Sequence, residues 1–226
     1  MESRWARPAR SAGAESYTRN MDPQWLDWAK RLQAIAQTGV TYTKDHYDTE
    51  RYEAVRQIAA EILAAGTQAS SIEPIVDLLK RDKGYATPKV DVRAAVIHEN
   101  RILLVKEIED GGWSLPGGWA DIGDVPSLAA VREVREESGY EVVARKLAAV
   151  LDRNLHGHPF FPYHAYKLYF LCELVGGEPA PSYETDGVGF FAEDALPPLS
   201  LTRVMPAQIA LMFEHYRNPG MPTTFD

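Results

Sequence analysis

The stretch from Gly117 to Tyr140, GGWADIGDVPSLAAVREVREESGY, carries five carboxylates: Asp121, Asp124, Glu133, Glu136 and Glu137. Pro126 at a first helical position and Gly139 at a C′ position bracket a helix. At the α-helical rotation, Glu133, Glu136 and Glu137 fall within an arc of about 100°, while Leu128, Val131 and Val134 form the expected inward face. Carboxylates spaced i, i+3 and i, i+4 repel by a few tenths of a kcal/mol when solvated, and by more when partly buried. Taken alone, EVREE describes a solvated helix face. Two features argue for a cation site instead. Arg132 is adjacent and can orient a carboxylate. The helix also follows WSLPGGWADIG, a Gly-rich turn in which Gly117 and Gly118 let backbone approach a ligand closely. Oxygen-only donors on a rigid helix suit hard Mg2+ or Mn2+, and a divalent cation relieves the crowding. Asp124 stands at the helix start, where it can cap free N–H groups or reach Arg132 or a metal-bound water.

Strands must hold this helix in place. VDVRAAVIHE and RILLVKEI, separated by a tight turn at NR, read as a hairpin. EVVARKLAAVLDRN, YHAYKLYFLCEL and GVGFFAE follow the acidic helix as further strands, with VGGEPAPS as a loop. TRVMPAQIALMFEHYRN reads as a last helix with Ile209, Met212 and Phe213 inward. Strands, helix, strands, helix is the order of a mixed sheet packed between helices.

Ahead of the strands the periodicity is helical. Asp22 and Pro23 form a cap and first-turn pair. Trp25, Trp28, Ala29, Leu32 and Ile35 form a stripe, and Gly39 stops the helix. A second helix spans 48–65, with Tyr52, Val55, Ile58, Ala59 and Ile62 as its apolar positions and Gly66 as its end. A third covers 72–80. Three short helices rarely bury enough surface alone. A homodimer through these helices is the expectation, with an intramolecular cap as the alternative. The division is then 1–21, an Arg-rich tail read as disordered; 22–85, a small all-α domain; and 86–226, the α/β domain. Met21 directly precedes the first structured pattern and is a candidate true start.

The chain has 226 residues, net charge −8, and 45% hydrophobic and 25% charged residues. An acidic chain without a long Lys/Arg cluster argues against general nucleic-acid or membrane-surface binding. It leaves room for an anionic small substrate, because metal ions invert the local field. No apolar run approaches a membrane span, and the N-terminus lacks the apolar segment of a secretory signal. A lone Cys172 in an apolar strand forbids an internal disulfide and a Cys-based zinc site, and fits a reducing, cytoplasmic setting.

Gly118, Arg132, Glu133, Val134, Glu136, Glu137, Gly139 and Tyr140 resemble the Nudix box, G-x5-E-x7-R-E-U-x-E-E-x-G-U, with U a bulky apolar residue. Tyr140 stands at the last such position, and Asp124 replaces the first Glu. The resemblance implies an α/β (α+β) fold over about 88–226, a Nudix α/β/α sandwich with a mixed sheet. The N-terminal helices, FFAEDALPPLSLTR and the ending TTFD are similar to the subfamily containing CDP-choline and ADP-ribose pyrophosphatases.

The resemblance further implies Mg2+-dependent hydrolysis of a nucleoside diphosphate derivative, CDP-choline first and ADP-ribose next. Glu133, Glu136 and Glu137 would hold the metal, and Arg132 would position a carboxylate, Glu133 foremost. Glu184, in the loop PSYETDGVGFF, would serve as base or additional ligand, with Asp186 beside it and Glu136 or Glu137 as alternatives. Arg153 is a candidate phosphate contact or a surface ion pair. DRNLHGHPFFPYH gathers His156, His158, His164 and three aromatics. The carboxylates already explain a metal, so zinc is set aside in favour of a partly exposed aromatic hairpin or a loop that packs against a base. The competing functions are a non-catalytic Nudix sensor or interaction module and an enzyme acting on nucleoside triphosphates or capped RNA.

Overall fold

The computed structural model describes residues 23–180 and 182–226. The tail, the Met21 start and the Asp22 cap lie outside them.

Three helices come first: α1 (Gln24–Tyr42), α2 (His46–Thr67) and α3 (Glu73–Arg81). Asp45 caps α2, its side chain accepting from the Asp48 N–H at 3.0 Å. Leu26, Ala29, Ala59, Ala60, Leu63 and Leu79 form their core. The expected α1 stripe holds at Ala29, with Trp25 and Leu32 packed against this core, and fails at two positions. Trp28 and Ile35 are exposed, while Leu26 and Ala36 are fully buried. The small Ala residues let α1 and α2 close together, so the wider aromatic face turns out.

Neither Gly39 nor Gly66 ends a helix, since α1 and α2 run past them. Each is covered by an aromatic ring. A Cβ on Gly39 would lie 2.3 Å from the Tyr52 ring, and one on Gly66 2.5 Å from the Trp25 ring. Gly66→Ala is expected to lower stability by about 1–2 kcal/mol. Overpacking of about 1–3 kcal/mol exceeds the helix-propensity gain of about 1 kcal/mol. A thermal melt checks this, and an unchanged or raised Tm would show that the Trp25 ring gives way freely.

The sheet is mixed. Strand β1 (Lys89–His98) pairs in parallel with β5 (Ala165–Gly177), and β5 is antiparallel to β4 (Tyr140–Asp152). Short β7 (Thr224–Phe225) lies parallel on β4. On the other side β2 (Arg101–Glu107) pairs with β3 (Trp113–Ser114) and β6 (Thr185–Ala192). The hairpin turn sits one residue earlier than expected, with left-handed φ of 50° at Glu99 and 56° at Asn100, as a type I′ turn requires. Below that turn β1 and β2 separate, and only Ile97–Ile102 and His98–Arg101 face one another. The segment Pro116–Ala120 runs along β1 instead. The N–H groups of Val92 and Ala94 donate to the carbonyls of Gly118 and Pro116, and that of Ala120 to Val90.

Helix α4 (Pro126–Ser138) packs on one sheet face through Ala129, Ala130 and Val134 against Val92, Ala94 and Leu103. Helix α5 (Pro206–Arg217) packs on the other through Ile209, Met212 and Phe213, as expected, against Ala95, Ile97 and Tyr169. The expected inward face of α4 is corrected at Leu128, which is exposed. Two alanines bring the helix close to the strands, and the larger side chain is left at the open first turn.

Candidate active site

Alternation along β1 puts Asp91 and Arg93 on the face that carries Ala95 and Ile97 farther along. One face thus changes from apolar to charged at the end where the box segment inserts. There a cleft of about 380 Å³ is lined by Asp91, Arg93, Glu107, Gly117, Gly118, Trp119, Glu133, Glu137, Arg153, Lys167, Glu184 and Arg203, among others.

Pro126 starts α4, and Gly139 ends it in a left-handed conformation at φ 77°. Of the acidic trio, the helix turns Glu137 inward. Only 5% of it is exposed, and a carboxylate oxygen accepts from the Gly117 N–H at 3.0 Å. Gly117 is required for this. At φ +142° a Cβ there would lie 2.0 Å from the Val92 carbonyl oxygen. Burial pushes the Glu137 carboxyl up to about 8, against the pull of Arg93 and the Gly117 N–H. Glu133 lies over Gly118 and is also raised, chiefly by burial and against the pull of Arg132.

Arg132 gathers three acids. It reaches Glu133 and Glu136 at 2.9 Å each and Asp124 at 3.2 Å. Glu136 is 58% exposed on that outer side. The structure thus brings Glu133 and Glu137 to the cleft and holds Glu136 at its rim through Arg132. Among the described residues, no three His, Cys, Asp or Glu side chains are already drawn together as a metal cage. Asp124 is not a helix cap, because Val125 occupies that position. Its carboxylate accepts from the Asp121 N–H at 3.1 Å and from Arg132. Being one methylene shorter than Glu, it is spent on the turn and on Arg132. Asp124→Ala is expected to lower kcat/KM by about three- to tenfold, in line with the loss of one charge-assisted bond of about 1 kcal/mol. Steady-state kinetics of the folded variant check this, and a loss as large as that of Glu137→Gln would overturn the ranking.

The opposite wall holds the cleft's cations, three of them paired with acids. Arg93 holds Asp91 through two bonds of 2.8 and 2.9 Å, and Lys167 adds a third at 2.9 Å. Burial pushes the Asp91 carboxyl up, but the two cations outweigh it and hold it at about 2. Burial pulls Lys167 down to about 8 despite Asp91. Arg203 bonds Glu107 and Glu109 at 2.9 Å each. The buried Arg153 is no surface ion pair: it donates to the carbonyls of Pro159 and Thr202. Glu184 is exposed at the cleft rim, and Asp186 pairs with Lys106.

The three histidines do not converge. His156 bonds Asp226, His164 bonds Asp152, and His158 bonds the Leu201 carbonyl and Gln208. Burial pushes His158 down to about 3. Cys172 is buried, its thiol raised to about 12.

Asp91, Arg93, Glu107, Lys167 and Arg203 were not found from the sequence. The available signal was weak. Asp91, Arg93 and Lys167 are charges inside otherwise apolar strands, where a solvent-facing position is the commoner explanation.

The donor set fits a divalent cation. Two partly buried carboxyls lie on one helix, and their pKa values stay raised even though Arg132 pairs with Glu133 and Arg93 pulls on Glu137.

Known proteins agree with this geometry. Residues 87–212 match the NUDIX domain model, and residues 23–79 match the model described as a UDP-X-like, N-terminal oligomerisation domain. The chain is 47% identical over 203 residues to the Bacillus subtilis protein named "Putative ADP-ribose pyrophosphatase YjhB", covering 90% of this chain and 97% of that one. A solved ADP-ribose pyrophosphatase of Streptococcus suis matches with a TM-score of 0.58 and 44% identity, over 62% of this chain and 100% of that one. A solved UDP-X diphosphatase matches with a TM-score of 0.58 and 34% identity, over 89% of this chain and 98% of that one. A mixed sheet between helices, with the acidic helix at its cleft, defines a hydrolase of diphosphates, and the chain belongs to the Nudix hydrolase family. Enzymes of this family generally use divalent metal ions on nucleoside diphosphate-linked substrates. No helix among the described residues is long and apolar enough to cross a membrane.

Proposed function

We propose that this chain is a Mg2+-dependent pyrophosphatase of nucleoside diphosphate derivatives. ADP-ribose and UDP-linked compounds come first, and CDP-choline, cut to CMP and phosphocholine, third. The carrying observation is the polarity of the cleft. Carboxyls Glu133 and Glu137 face the cleft, and the cations Arg93, Lys167, Arg153 and Arg203 line it with them, three of these held in place by Asp91, Glu107 and Glu109. A diphosphate bridged to a metal has that pattern of charge. The names of the relatives favour ADP-ribose and UDP derivatives as substrates.

Glu133 and Glu137, with Glu136 beside them, would hold Mg2+, with Mn2+ as a substitute. When bound, the cation neutralises charge on the diphosphate oxygens and lowers the pKa of an attacking water. The chain's own residues do the positioning that phosphoryl transfer chiefly needs. Arg132 fixes Glu133, Gly117 lets the turn close on β1 so that its N–H holds Glu137, Gly118 lies under Glu133, and the basic wall with Arg153 draws the phosphates. Glu184, exposed at the rim, is placed to accept the water's proton or to add a ligand. The helical module would join two copies. Its matched description as an oligomerisation domain and the exposed Trp28, Ile35 and Ile58 support a homodimer.

The test is a panel of ADP-ribose, a UDP-sugar, CDP-choline and ATP with the purified chain, with and without Mg2+. Nucleoside monophosphate should appear from a diphosphate derivative only with the metal. No monophosphate from any diphosphate derivative would sink the reading.

A further inference from the structure

Residues His156–His164 join the helical module to the catalytic cleft through two aromatic stacks on adjacent residues. On one side Trp25 of α1 stacks on Phe160, with ring centroids 6.0 Å apart and planes at 28°. On the other side Phe161 stacks on Trp119 at 6.0 Å and 25°. Trp119 directly follows the Gly117–Gly118 pair that meets Glu137 and Glu133, and 44% of it stays exposed at the cleft. Phe161 is backed in turn by the Arg153 guanidinium, 4.7 Å from its ring centre, and by the edge of Tyr163 at 5.5 Å.

The sequence of the bridge is Pro159-Phe160-Phe161-Pro162. Proline fixes its own φ and restricts the residue before it, so the backbone is pinned at Pro159, Phe161 and Pro162, with Phe160 the single link between them. A displacement of Phe160 is therefore passed to Phe161. Trp25 is itself wedged, with its ring on the bare Cα of Gly66. A half-exposed indole stacked on a second ring at the edge of a diphosphate cleft is a stacking platform for a planar aromatic group. Every nucleobase offers such a π-face.

We propose that Trp119, backed by Phe161, stacks the base of the substrate, and that Trp25 and Phe160 are positioning residues through which the helical module of the same chain sets that platform. This rests on the functional reading above. It gives the helical module a role in substrate selection besides assembly.

The test compares a base-bearing substrate, ADP-ribose or whichever panel member is cut best, with the base-free diphosphate diester of two ribose 5-phosphates. Trp119→Ala and Phe161→Ala are expected to raise KM for the base-bearing substrate about tenfold with kcat little changed, as loss of one base stack implies. Phe160→Ala and Trp25→Ala should shift KM the same way by about three- to fivefold, and the double variant no further than the larger single one. Phe160→Ala and Trp25→Ala should leave KM for the base-free substrate unchanged. Trp25→Ala can loosen the module through Gly66. Phe160, 43% exposed, breaks the same contact from the loop side, so Phe160→Ala carries the conclusion. Gel filtration confirms that its assembly is unaltered.

Equal wild-type KM values for the two substrates overturn the platform. A KM ratio untouched by Phe160→Ala, or an equal fall in kcat on both substrates, overturns the positioning role. A wild-type chain that releases monophosphate from nothing in the panel overturns the functional reading and this inference with it.

Discussion

Glu137→Gln should reduce kcat by about a thousandfold while leaving a folded protein that, without metal, is more stable than wild type at pH 8. The two effects share one cause. Glu137 is buried at the floor of the acidic wall, and its carboxyl is pushed up to about 8. An amide of the same shape mimics the protonated form and keeps an oxygen for the Gly117 N–H. It cannot supply the negative charge that a divalent cation needs. A thousandfold is roughly 4 kcal/mol, at 1.36 kcal/mol per tenfold, which is the scale of a metal's Lewis-acid contribution. Monophosphate release under saturating Mg2+ measures the loss. A variant that keeps more than a tenth of wild-type kcat would show that Glu137 is not in the metal set.

The pH dependence separates this role from a purely structural one. A carboxyl whose folded pKa lies above its unfolded value binds more protons in the folded state, so metal-free stability falls as pH rises from about 4.5 to about 8. Mg2+ must displace that proton, so its affinity should climb by about tenfold per pH unit up to about 8, with close to one proton released per cation at pH 6.5. Calorimetry in two buffers of different ionisation enthalpy reads the proton directly. In Glu137→Gln both dependences should flatten. A Mg2+ affinity independent of pH in wild type would refute the account.

The sequence disclosed the chemistry better than the packing. Pro126 and Gly139 bracketed the acidic helix because both act locally, through a fixed φ and a tolerated left-handed conformation. Ile209, Met212 and Phe213 faced inward as their spacing required. The α1 and α4 faces were misjudged for one reason. Hydrophobicity points to the largest apolar residues, but Ala36, Ala129 and Ala130 join the expected Ala29 and Val134 in the close approach, and Trp28 and Leu128 turn outward. Gly39 and Gly66 read as stops because the rings that cover them come from other parts of the chain, which no local pattern shows. The basic wall was hidden more deeply. Asp91 and Lys167 meet only because β1 and β5 pair in that register. Splitting Glu136 from Glu133 and Glu137 depended on where Arg132 points. Asp124 kept its link to Arg132 but not the cap, since the helix begins at Pro126, as expected, and Val125 is its cap.

Asp91→Ala should cost about 3–5 kcal/mol at pH 7, the typical loss when one partner of a buried pair is removed and the other charge stays buried. Two charges stay here. Arg93 keeps its bond of 3.0 Å to the Leu115 carbonyl, but Lys167, 1% exposed, loses the carboxylate it bonds among the described residues. The sign with pH is specific. Asp91 has a depressed folded value of about 2, so its contribution is complete above about 4 and is lost as pH falls through 2. Wild type should show that acid loss, and the variant should not. At high pH the deficit should shrink, because Lys167 already sits at about 8 with Asp91 present and loses its proton more readily without it. Asp91→Asn combined with Lys167→Met removes both members of the pair and should recover part of the loss, so the two sites are coupled rather than additive. Chemical denaturation at pH 5, 7 and 9 compares wild type, Asp91→Ala, Asp91→Asn, Lys167→Met and the double variant. Additive losses, or an Asp91→Ala deficit that grows at pH 9, would mean that the triad is not the support of the basic wall. If recovery is seen without restored turnover, Lys167 is needed for its charge at the cleft, and Asp91 serves to keep that charge in place.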